Sequence, residues 1–373
     1  MKTESNDRRR AWVEVNLSAI RRNAQRLAAL LPGSRLLPMI KADGYGLGAV
    51  RVAAALSSTD VWGLGVATAE EGAILRSAEY SGRIIVFSPL PSRDAADIVR
   101  GELEPAITSL EALEVFGRAA ASAGVKLPVH LEVDTGMARL GVPARTVGAW
   151  AGDAARLLAD YPLTLASTFT HFHSADSDEA ATLAQWAEFQ TALTSLRDGG
   201  IEPGLVHAAN SAAALRYKEV AADVIRPGIT LFGGGAPSGE PVVSVFARVL
   251  DVREVGPGQT VSYGATYRTS ERSRLATLAI GYADGVRFEL SNRGHVLLSG
   301  VRAPIRGAVC MDVMVVDVTA IPDVGPGDIA TVLGRDGEEE ITLREMTEQC
   351  GTIEYEILTG LSPRLPRISV ESG

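Results

Sequence analysis

The stretch LLPMIKADGYGLGAVRVAAAL, residues 36–56, contains one complete strand–loop–helix unit. Apolar residues over 36–40 predict a short buried strand, and Ala49–Leu56 predicts an amphipathic helix. Lys41 and a loop with three glycines, an aspartate and a tyrosine connect the two. Roughly the first two thirds of the chain alternate between segments of these two kinds, which is typical of a parallel sheet.

Eight strand candidates recur in this region, with helical patterns between them. The strands are predicted at residues 36–40, 61–66, 83–87, 104–108, 128–133, 163–171, 204–208 and 223–226. The helices are predicted at residues 17–31, 49–56, 70–78, 110–123, 145–159, 178–196 and 211–218, with Ser18 as a candidate cap of the first. Eight such units favour an α/β fold of the (β/α)8 TIM-barrel type over an open doubly wound sheet.

After the turn-rich segment GGGAPSGEP, residues 233–241, the pattern changes to strands with little helix. Strands are predicted at residues 242–255, 259–261, 273–280, 295–298, 301–305, 313–318 and 328–333, and one late helix at 343–349. We therefore predict a barrel domain over residues 1–237 and a C-terminal mainly-β domain over 238–373. An early strand at 12–16 fits either domain.

Composition limits the classes of function. The 373 residues carry a net charge of −9, and the longest basic run is Arg8–Arg10, which argues against a nucleic-acid partner. Two cysteines, Cys310 and Cys350, supply neither a disulfide framework nor the paired spacing of a zinc site. The polar start and the lack of a long apolar run predict a soluble, cytoplasmic protein without membrane association.

In a (β/α)8 barrel the active site lies at the carboxyl ends of the strands, so reactive residues there are the candidates. The candidates are Lys41 after strand one, Glu132, Asp134 and Arg139 near strand five, His171 and His173 after strand six, Asn210 and Ser211 after strand seven, and Arg226 with Gly228 after strand eight. Lys41 follows an apolar run, where desolvation lowers the pKa of an amine and suits it to act as a Schiff-base nucleophile or a base. The alternative is that it only snorkels or pairs with Asp43.

Ser211, Gly228 and Ile229 fit a phosphate site, because barrels often bind phosphate at the loops after strands seven and eight. Alternatively Ser211 caps the following helix, and both roles can coexist. A reactive lysine and a phosphate cradle at one barrel mouth together suggest pyridoxal phosphate as cofactor.

Nine short motifs of this sequence match the motifs of a known protein family. They are KADGYGLG from Lys41, DTGMARLG from Asp134, THF from Thr170, HAANSAA from His207, RPGI from Arg226, VSYGATY from Val261, GYADG from Gly281, VCMD from Val309 and TIEYEI from Thr352. Each is weak alone, but their order resembles that of the bacterial alanine racemases, a pyridoxal-phosphate family with a barrel followed by a β domain.

The resemblance implies a two-base racemisation of L- and D-alanine that supplies D-alanine for peptidoglycan. It assigns the bases to Lys41, which also holds the cofactor as an imine, and to Tyr263 from a second subunit, and so implies a homodimer. Two bases are needed because one group removes a proton while the other delivers one to the opposite face. By the same resemblance, His171 lies between that tyrosine and Arg226, which faces the cofactor ring nitrogen.

Further roles come from the resemblance alone. Cofactor contacts are implied for Tyr45, Arg139, Asn210, Ser211, Gly228, Ile229 and Tyr355, substrate contacts for Arg139, the Met311 backbone and Tyr282 at the entrance passage, and a supporting role for Asp312. Other differences from many family members are His173, Phe232, Val286, Ala308 and Glu354.

Glu132 stands where many family members have a carbamylated lysine that orients the arginine of the DTGMAR motif. We hypothesise that its carboxylate replaces that group beside Arg139; the alternative is that it points to the other face of its strand. Competing functions are a racemase of broader specificity, for example for serine, an amino-acid decarboxylase, or a non-catalytic pyridoxal-phosphate-binding protein. Arg226 argues against the decarboxylase, which benefits from a strong electron sink, and the β domain argues against the non-catalytic protein.

Overall fold

The computed structural model describes residues 9–235 and 239–371. A barrel of parallel strands follows an opening strand, β1 (Ala11–Asn16). The barrel region contains β2 (Arg35–Leu36), β3 (Leu64–Val66), β4 (Ile84–Val86), β5 (Glu104–Ile107), β6 (Leu127–Asp134), β7 (Val142–Pro143), β8 (Leu163–Phe169), β9 (Leu205–His207) and β10 (Val224–Ile225). Each of the eight predicted barrel strands overlaps one of these, and the short β7 is an addition beside β6.

Hydrogen bonds close these strands into a ring. Strands β3, β4, β5, β6, β8 and β9 pair in that order, and β10 pairs with β2. Parallel bridges between Leu36 and Val61 and between Asn210 and Arg226 join the two groups. The predicted (β/α)8 barrel is therefore confirmed, and its strand ends converge on one mouth.

Helices alternate with the barrel strands. They are α1 (Leu17–Leu30), α2 (Lys41–Tyr45), α3 (Ala49–Leu56), α4 (Ala69–Ser77), α5 (Pro91–Arg100), α6 (Leu110–Ala123), α7 (Val147–Asp160), α8 (Glu179–Asp198) and α9 (Ser211–Arg216). The prediction of Ser18 as the first cap is wrong: the Asn16 side chain accepts from the Ala19 N–H at 3.0 Å, because Asn16 has the extended backbone that a cap requires. Within the described ranges, no helix is long and apolar enough to cross a membrane.

The rest of the chain is built mainly from strands. It contains β11 (Val243–Val255), β12 (Thr260–Val261), β13 (Tyr267–Arg268), β14 (Ser273–Leu278), β15 (His295–Leu298), β16 (Val301–Pro304), β17 (Met314–Asp317), β18 (Ile329–Asp336), β19 (Glu339–Ile341), β20 (Arg367–Val370), α10 (Leu343–Cys350) and α11 (Glu354–Thr359). The predicted mainly-β character is confirmed, although β13, β19, β20 and α11 were not predicted.

Strand β1 belongs to this second sheet. It pairs antiparallel with β11 and parallel with β20, so the first and last described strands lie side by side. The predicted domain boundary between residues 237 and 238 lies outside the described residues and stays a prediction. One cluster of buried apolar side chains extends through both parts of the chain, so the second sheet and the barrel pack against each other.

Candidate active site

A cavity of about 650 Å³ opens at the carboxyl ends of the barrel strands. Eleven of the predicted site residues line it: Lys41, Tyr45, Glu132, Arg139, His171, His173, Asn210, Ser211, Arg226, Gly228 and Tyr355. Tyr355 comes from α11, so the second part of the chain contributes to the wall. Ile229 is buried directly after Gly228 without lining the cavity.

Lys41 lies at the cavity wall directly after the first barrel strand. Desolvation lowers the pKa of its amine, and the nearby guanidinium groups of Arg139 and Arg226 lower it further. Among the described residues no ion pair joins Lys41 to Asp43; the Asp43 carboxylate instead accepts from the Ala49 N–H at 2.7 Å. The pairing alternative for Lys41 is therefore wrong, and the amine is available to the cavity.

The short helix α2 that begins at Lys41 turns into a left-handed conformation. Residues 42–46 all have positive φ, between 51° and 80°. The Gly44 N–H donates to the Ile40 carbonyl at 2.8 Å, and the Gly46 N–H donates to the Ala42 carbonyl at 2.7 Å. Left-handed helix costs about 1–2 kcal/mol for each residue other than glycine, so this turn needs support from its surroundings.

Glu71 supplies part of that support. Its carboxylate accepts from the Ala42 N–H and from the Ala67 N–H, each at 2.7 Å. One side chain of α4 therefore holds both the residue after Lys41 and the loop after β3. Glu71 was not among the predicted site residues, because an acidic residue in the first turn of a helix is common in surface helices.

The strand ends at β9 and β10 form a small polar cradle. Ser211 Oγ accepts from the Gly228 N–H at 2.9 Å and from the Thr230 hydroxyl at 3.2 Å. The alternative that Ser211 caps α9 is wrong: the Asn210 side chain caps it, accepting from the Ala213 N–H at 3.0 Å. Asn210 precedes the helix with extended backbone, whereas Ser211 is already its first helical residue.

Gly228 allows Tyr45 to enter this cradle. A Cβ atom at position 228 would lie 2.2 Å from the Tyr45 hydroxyl oxygen. The Tyr45 ring packs against Phe232 at 4.8 Å between centroids and against Tyr355 at 5.9 Å. Burial raises the pKa of both tyrosines, so both keep their hydroxyl protons and remain hydrogen-bond donors.

Arg226 and His171 form a hydrogen-bonded pair in the cavity. Arg226 Nη2 lies 3.4 Å from His171 Nδ1, and it donates to the Thr170 carbonyl at 2.6 Å. Burial and the adjacent Arg226 lower the pKa of His171 to about 3, so the ring is neutral. Because an arginine can only donate, His171 Nδ1 accepts and its proton lies on Nε2, free to donate into the cavity.

Glu132 is an acid among cations. It is 5% exposed and lines the cavity together with Arg139, so it does not point to the other face of its strand. Within the described part of the chain, no ion pair within 4.0 Å joins Glu132 to Arg139. Burial raises the pKa of Glu132 to about 7, although Arg226 and Arg139 oppose that shift. Nearby Asp134 instead orders the loop after β6, accepting from the Gly136 N–H at 2.9 Å.

Four predicted residues lie on the second part of the chain and outside the cavity. Tyr263 is 76% exposed, Met311 52% and Tyr282 44%. The fourth, Asp312, is paired with Arg364 at 2.7 Å. The folded chain thus gathers Lys41 with the cofactor-binding candidates but leaves Tyr263 on its surface.

Comparison with known proteins gives the family. The chain matches the model for the N-terminal domain of alanine racemase over residues 15–236 and that for its C-terminal domain over residues 242–369. The chain belongs to the alanine racemase family. The predicted resemblance is thereby confirmed over nearly the whole chain.

Full-length relatives agree with the family models. The alanine racemase of Desulfovibrio desulfuricans is 39% identical over 97% of this chain and 99% of its own length. The crystal structure of alanine racemase from D-cycloserine-producing Streptomyces lavendulae superposes with a TM-score of 0.94, 30% identity and 99% coverage of both chains. The alanine racemase of Bartonella henselae, solved with covalently bound pyridoxal phosphate, has a TM-score of 0.87, 28% identity and coverage of 97% of this chain and 100% of its own.

Proposed function

We propose that this member of the alanine racemase family is a cytoplasmic, pyridoxal-phosphate-dependent isomerase that interconverts L- and D-alanine and supplies D-alanine for peptidoglycan. The observation that carries the proposal is the single cavity that gathers Lys41, Arg226, His171 and the Ser211–Gly228 cradle. The amine of Lys41 with its lowered pKa, the buried guanidinium of Arg226, the exposed guanidinium of Arg139 and a neutral histidine suit an anionic amino-acid substrate.

The residues present fit the cofactor. Gly228 leaves space that a side chain would fill, and the Tyr45 hydroxyl beside it remains a donor for a phosphate oxygen. Lys41 would hold the aldehyde carbon covalently, Arg226 would face the ring nitrogen, and Arg139 the phenolic oxygen. Tyr45, Ser211, Gly228, Ile229 and Tyr355 would hold the phosphate, and Asn210 would also contact the cofactor. When bound, pyridoxal phosphate withdraws electrons from the substrate and acidifies the hydrogen on its α-carbon.

The two bases act from opposite faces of the substrate. Lys41 Nζ takes or returns the α-hydrogen on one face, because its lowered pKa keeps a larger fraction of the amine unprotonated at neutral pH. Tyr263 of the partner subunit acts on the other face, in a homodimer. The support for this assignment is that Tyr263 is 76% exposed on its own protomer and so is available to a neighbouring subunit.

His171 would stabilise the phenolate form of that tyrosine. A phenol has an ordinary pKa near 10, so it acts as a base only where its phenolate is stabilised. His171 carries its proton on Nε2 and is oriented by Arg226 at 3.4 Å. That N–H would donate to the phenolate of Tyr263 of the partner subunit.

The remaining predicted residues bind and orient the substrate. Arg139 is exposed to the cavity and would pair with the substrate carboxylate, as would the Met311 backbone N–H from the partner subunit. Tyr282 would line the entrance passage, with Asp312 supporting it through its ion pair with Arg364. Glu132 would place a carboxylate near the Arg139 guanidinium, although the two side chains do not form an ion pair.

The test uses purified protein loaded with pyridoxal phosphate in heavy water. We expect L-alanine to lose optical activity and take up α-deuterium, faster than L-serine does. Equal or faster exchange of L-serine would support the racemase of broader specificity instead. No exchange with either amino acid would contradict a racemase and favour the non-catalytic alternative.

A further inference from the structure

A continuous chain of hydrogen bonds runs through the barrel interior behind Arg226. Arg226 Nη1 lies 2.8 Å from His207 Nδ1, His207 Nε2 2.8 Å from Ser167 Oγ, Ser167 Oγ 2.6 Å from His130 Nδ1, and His130 Nε2 2.8 Å from Glu104 Oε2. The same Glu104 oxygen accepts from Arg83 Nε at 2.7 Å. This chain of hydrogen bonds begins at the cavity and ends at Glu104, the first residue of β5, near the opposite end of the barrel.

The middle of this chain is sealed from water. Ser167, His130 and His207 are 0% exposed, and Glu104 is 8% exposed. The Trp62 ring meets both imidazoles edge to face, at 5.9 and 6.2 Å between centroids. Burial lowers the pKa of both histidines, so each ring is neutral and carries one proton.

The position of each of those protons follows from the order of donors and acceptors. Arg226 has only donors, so His207 Nδ1 accepts and its proton lies on Nε2. That N–H donates to Ser167, whose hydroxyl must then donate to His130 Nδ1. The His130 proton is therefore also on Nε2, where it donates to the carboxylate of Glu104. Every donor in the chain from Arg226 onward points away from the cavity, and the Glu104 carboxylate receives the last one.

We propose that Glu104, His130 and Ser167 are positioning residues that hold His207 in the one tautomer able to accept from Arg226. In the other tautomer His207 would present an N–H to the guanidinium, and two donors would face each other. Arg226 would then lose the bond at Nη1, and the bonds from Nη2 to the Thr170 and Ala208 carbonyls would be left to hold the guanidinium beside His171. The inference rests on the proposed function only in treating Arg226 as a residue of the reaction site.

The direct test measures the tautomers in the full, unmodified protein. Histidine labelled with ¹⁵N gives long-range proton–nitrogen correlations that show which ring nitrogen carries the proton, and the chain has only five histidines to assign. We expect His130 and His207 both to be neutral with the proton on Nε2 near neutral pH. A proton on Nδ1 of either ring, or a doubly protonated ring, would overturn the inference.

Three variants at two neighbouring positions then test the effect on the site. Ser167→Ala interrupts the chain, and Ser167→Thr keeps a hydroxyl. The matched control is Thr168→Val, which removes another fully buried hydroxyl, bonded to the Pro203 carbonyl at 2.8 Å outside the chain. We expect Ser167→Ala to mix the tautomers of His207, because its Nε2 loses the partner that Ser167 provides at 2.8 Å, whereas Glu104 still accepts from His130 Nε2. We also expect it to lower kcat of the loaded enzyme about tenfold or more, as is common when a group that orients a site residue is removed.

The conservative and control variants make the result specific. We expect Ser167→Thr to restore the single tautomer and most of kcat, and Thr168→Val to leave the histidine signals as they are. If Ser167→Ala matched Thr168→Val in both readouts, the positioning role would be wrong. A protein with the expected tautomers but no racemase activity would contradict the proposed function and leave this inference standing.

Discussion

The contact between Gly228 and Tyr45 shows how closely single atoms define the candidate cofactor site. A Cβ at position 228 would stand 2.2 Å from the Tyr45 hydroxyl oxygen and 3.0 Å from the ring carbon that bears it. Nonbonded contacts of a Cβ atom under 3.0 Å are strongly repulsive, so the Tyr45 side chain would have to move out of the cradle. The hydroxyl is the nearer of the two atoms, and its removal should relieve most of the conflict.

Gly228→Ala is therefore expected to weaken binding of pyridoxal phosphate by tenfold or more, which corresponds to about 1.4 kcal/mol. Titration of the cofactor followed by its absorbance measures the change. Gly152→Ala, where the added Cβ meets nothing within 4 Å, is the control and should bind normally. In a Tyr45→Phe background, Gly228→Ala should weaken binding much less than it does in the unmodified protein, because the conflicting oxygen is gone. An equal loss in both backgrounds would show that the steric explanation is wrong.

Glu132 predicts a pH dependence of stability. Its folded pKa is about 7 against an ordinary value of 4.5, so the folded state binds more protons between these values. The contribution of this group to the free energy of unfolding therefore falls as pH rises from about 4.5 to about 7. We expect Glu132→Gln to remove that fall, which amounts to roughly 1–3 kcal/mol. Urea unfolding of the cofactor-free protein at several pH values measures it, and parallel curves for both proteins would contradict the assignment.

Sequence reasoning reached the residues of the cavity wall but not those behind it. Lys41 and Arg226 follow apolar runs at strand ends, a position that points to a barrel mouth. His130 and Ser167 lie inside strands and are joined only by pairing between strands distant in sequence. Glu104 gives no local sign of its role either, because its partners are Arg83, directly before β4, and His130 in β6. Such contacts leave no trace in local periodicity.

At the scale of elements, the left-handed turn after Lys41 is the least regular part of the barrel. Ala42, Asp43 and Tyr45 all have positive φ without being glycine. Their conformation is held by backbone bonds within the turn and by the Glu71 carboxylate, which accepts from two N–H groups. The turn thus stores strain next to the reactive amine and depends on α4 to keep it.

Glu71→Gln should destabilise the protein, because an amide can accept from only one of the two N–H groups and turns a donor toward the other. We expect a loss of about 1–3 kcal/mol in the free energy of unfolding. Glu70→Gln is the matched control: Glu70 is the neighbouring acid on the same helix, is exposed, and its replacement should leave the unfolding curve nearly unchanged. Equal unfolding curves for the two variants would show that Glu71 does not support the turn.

Secondary-structure prediction succeeded for helices and strands whose apolar residues recur at one clear period. Helices α3 and α6 have their predicted bounds, and β15 does too. Helix α5 was missed because its sequence, PSRDAADIVR, buries few side chains and resembles a polar loop. Strand β20 was missed because it is short and only partly buried, and its place in the sheet depends on β1.

At the scale of the whole molecule, the sequence pattern revealed the eight-stranded barrel and the change to a mainly-β fold. It left open where β1 belongs, since only its pairing with β11 and β20 decides that. Lys41 and Tyr263 lie more than two hundred residues apart in the sequence. In the folded protomer Tyr263 remains outside the cavity, so the proposed two-base reaction needs a second copy of the chain.

Complementation between two inactive variants tests that central claim most directly. Lys41→Ala and Tyr263→Phe proteins are each expected to lack alanine racemisation when assayed alone. When they are mixed under conditions that exchange subunits, a mixed dimer has one site with both residues intact. Random reassociation should therefore restore about a quarter of the unmodified activity, since half of the dimers are mixed and each has one working site of two. No recovery, with mixed dimers demonstrated by mass spectrometry, would contradict a site shared between subunits.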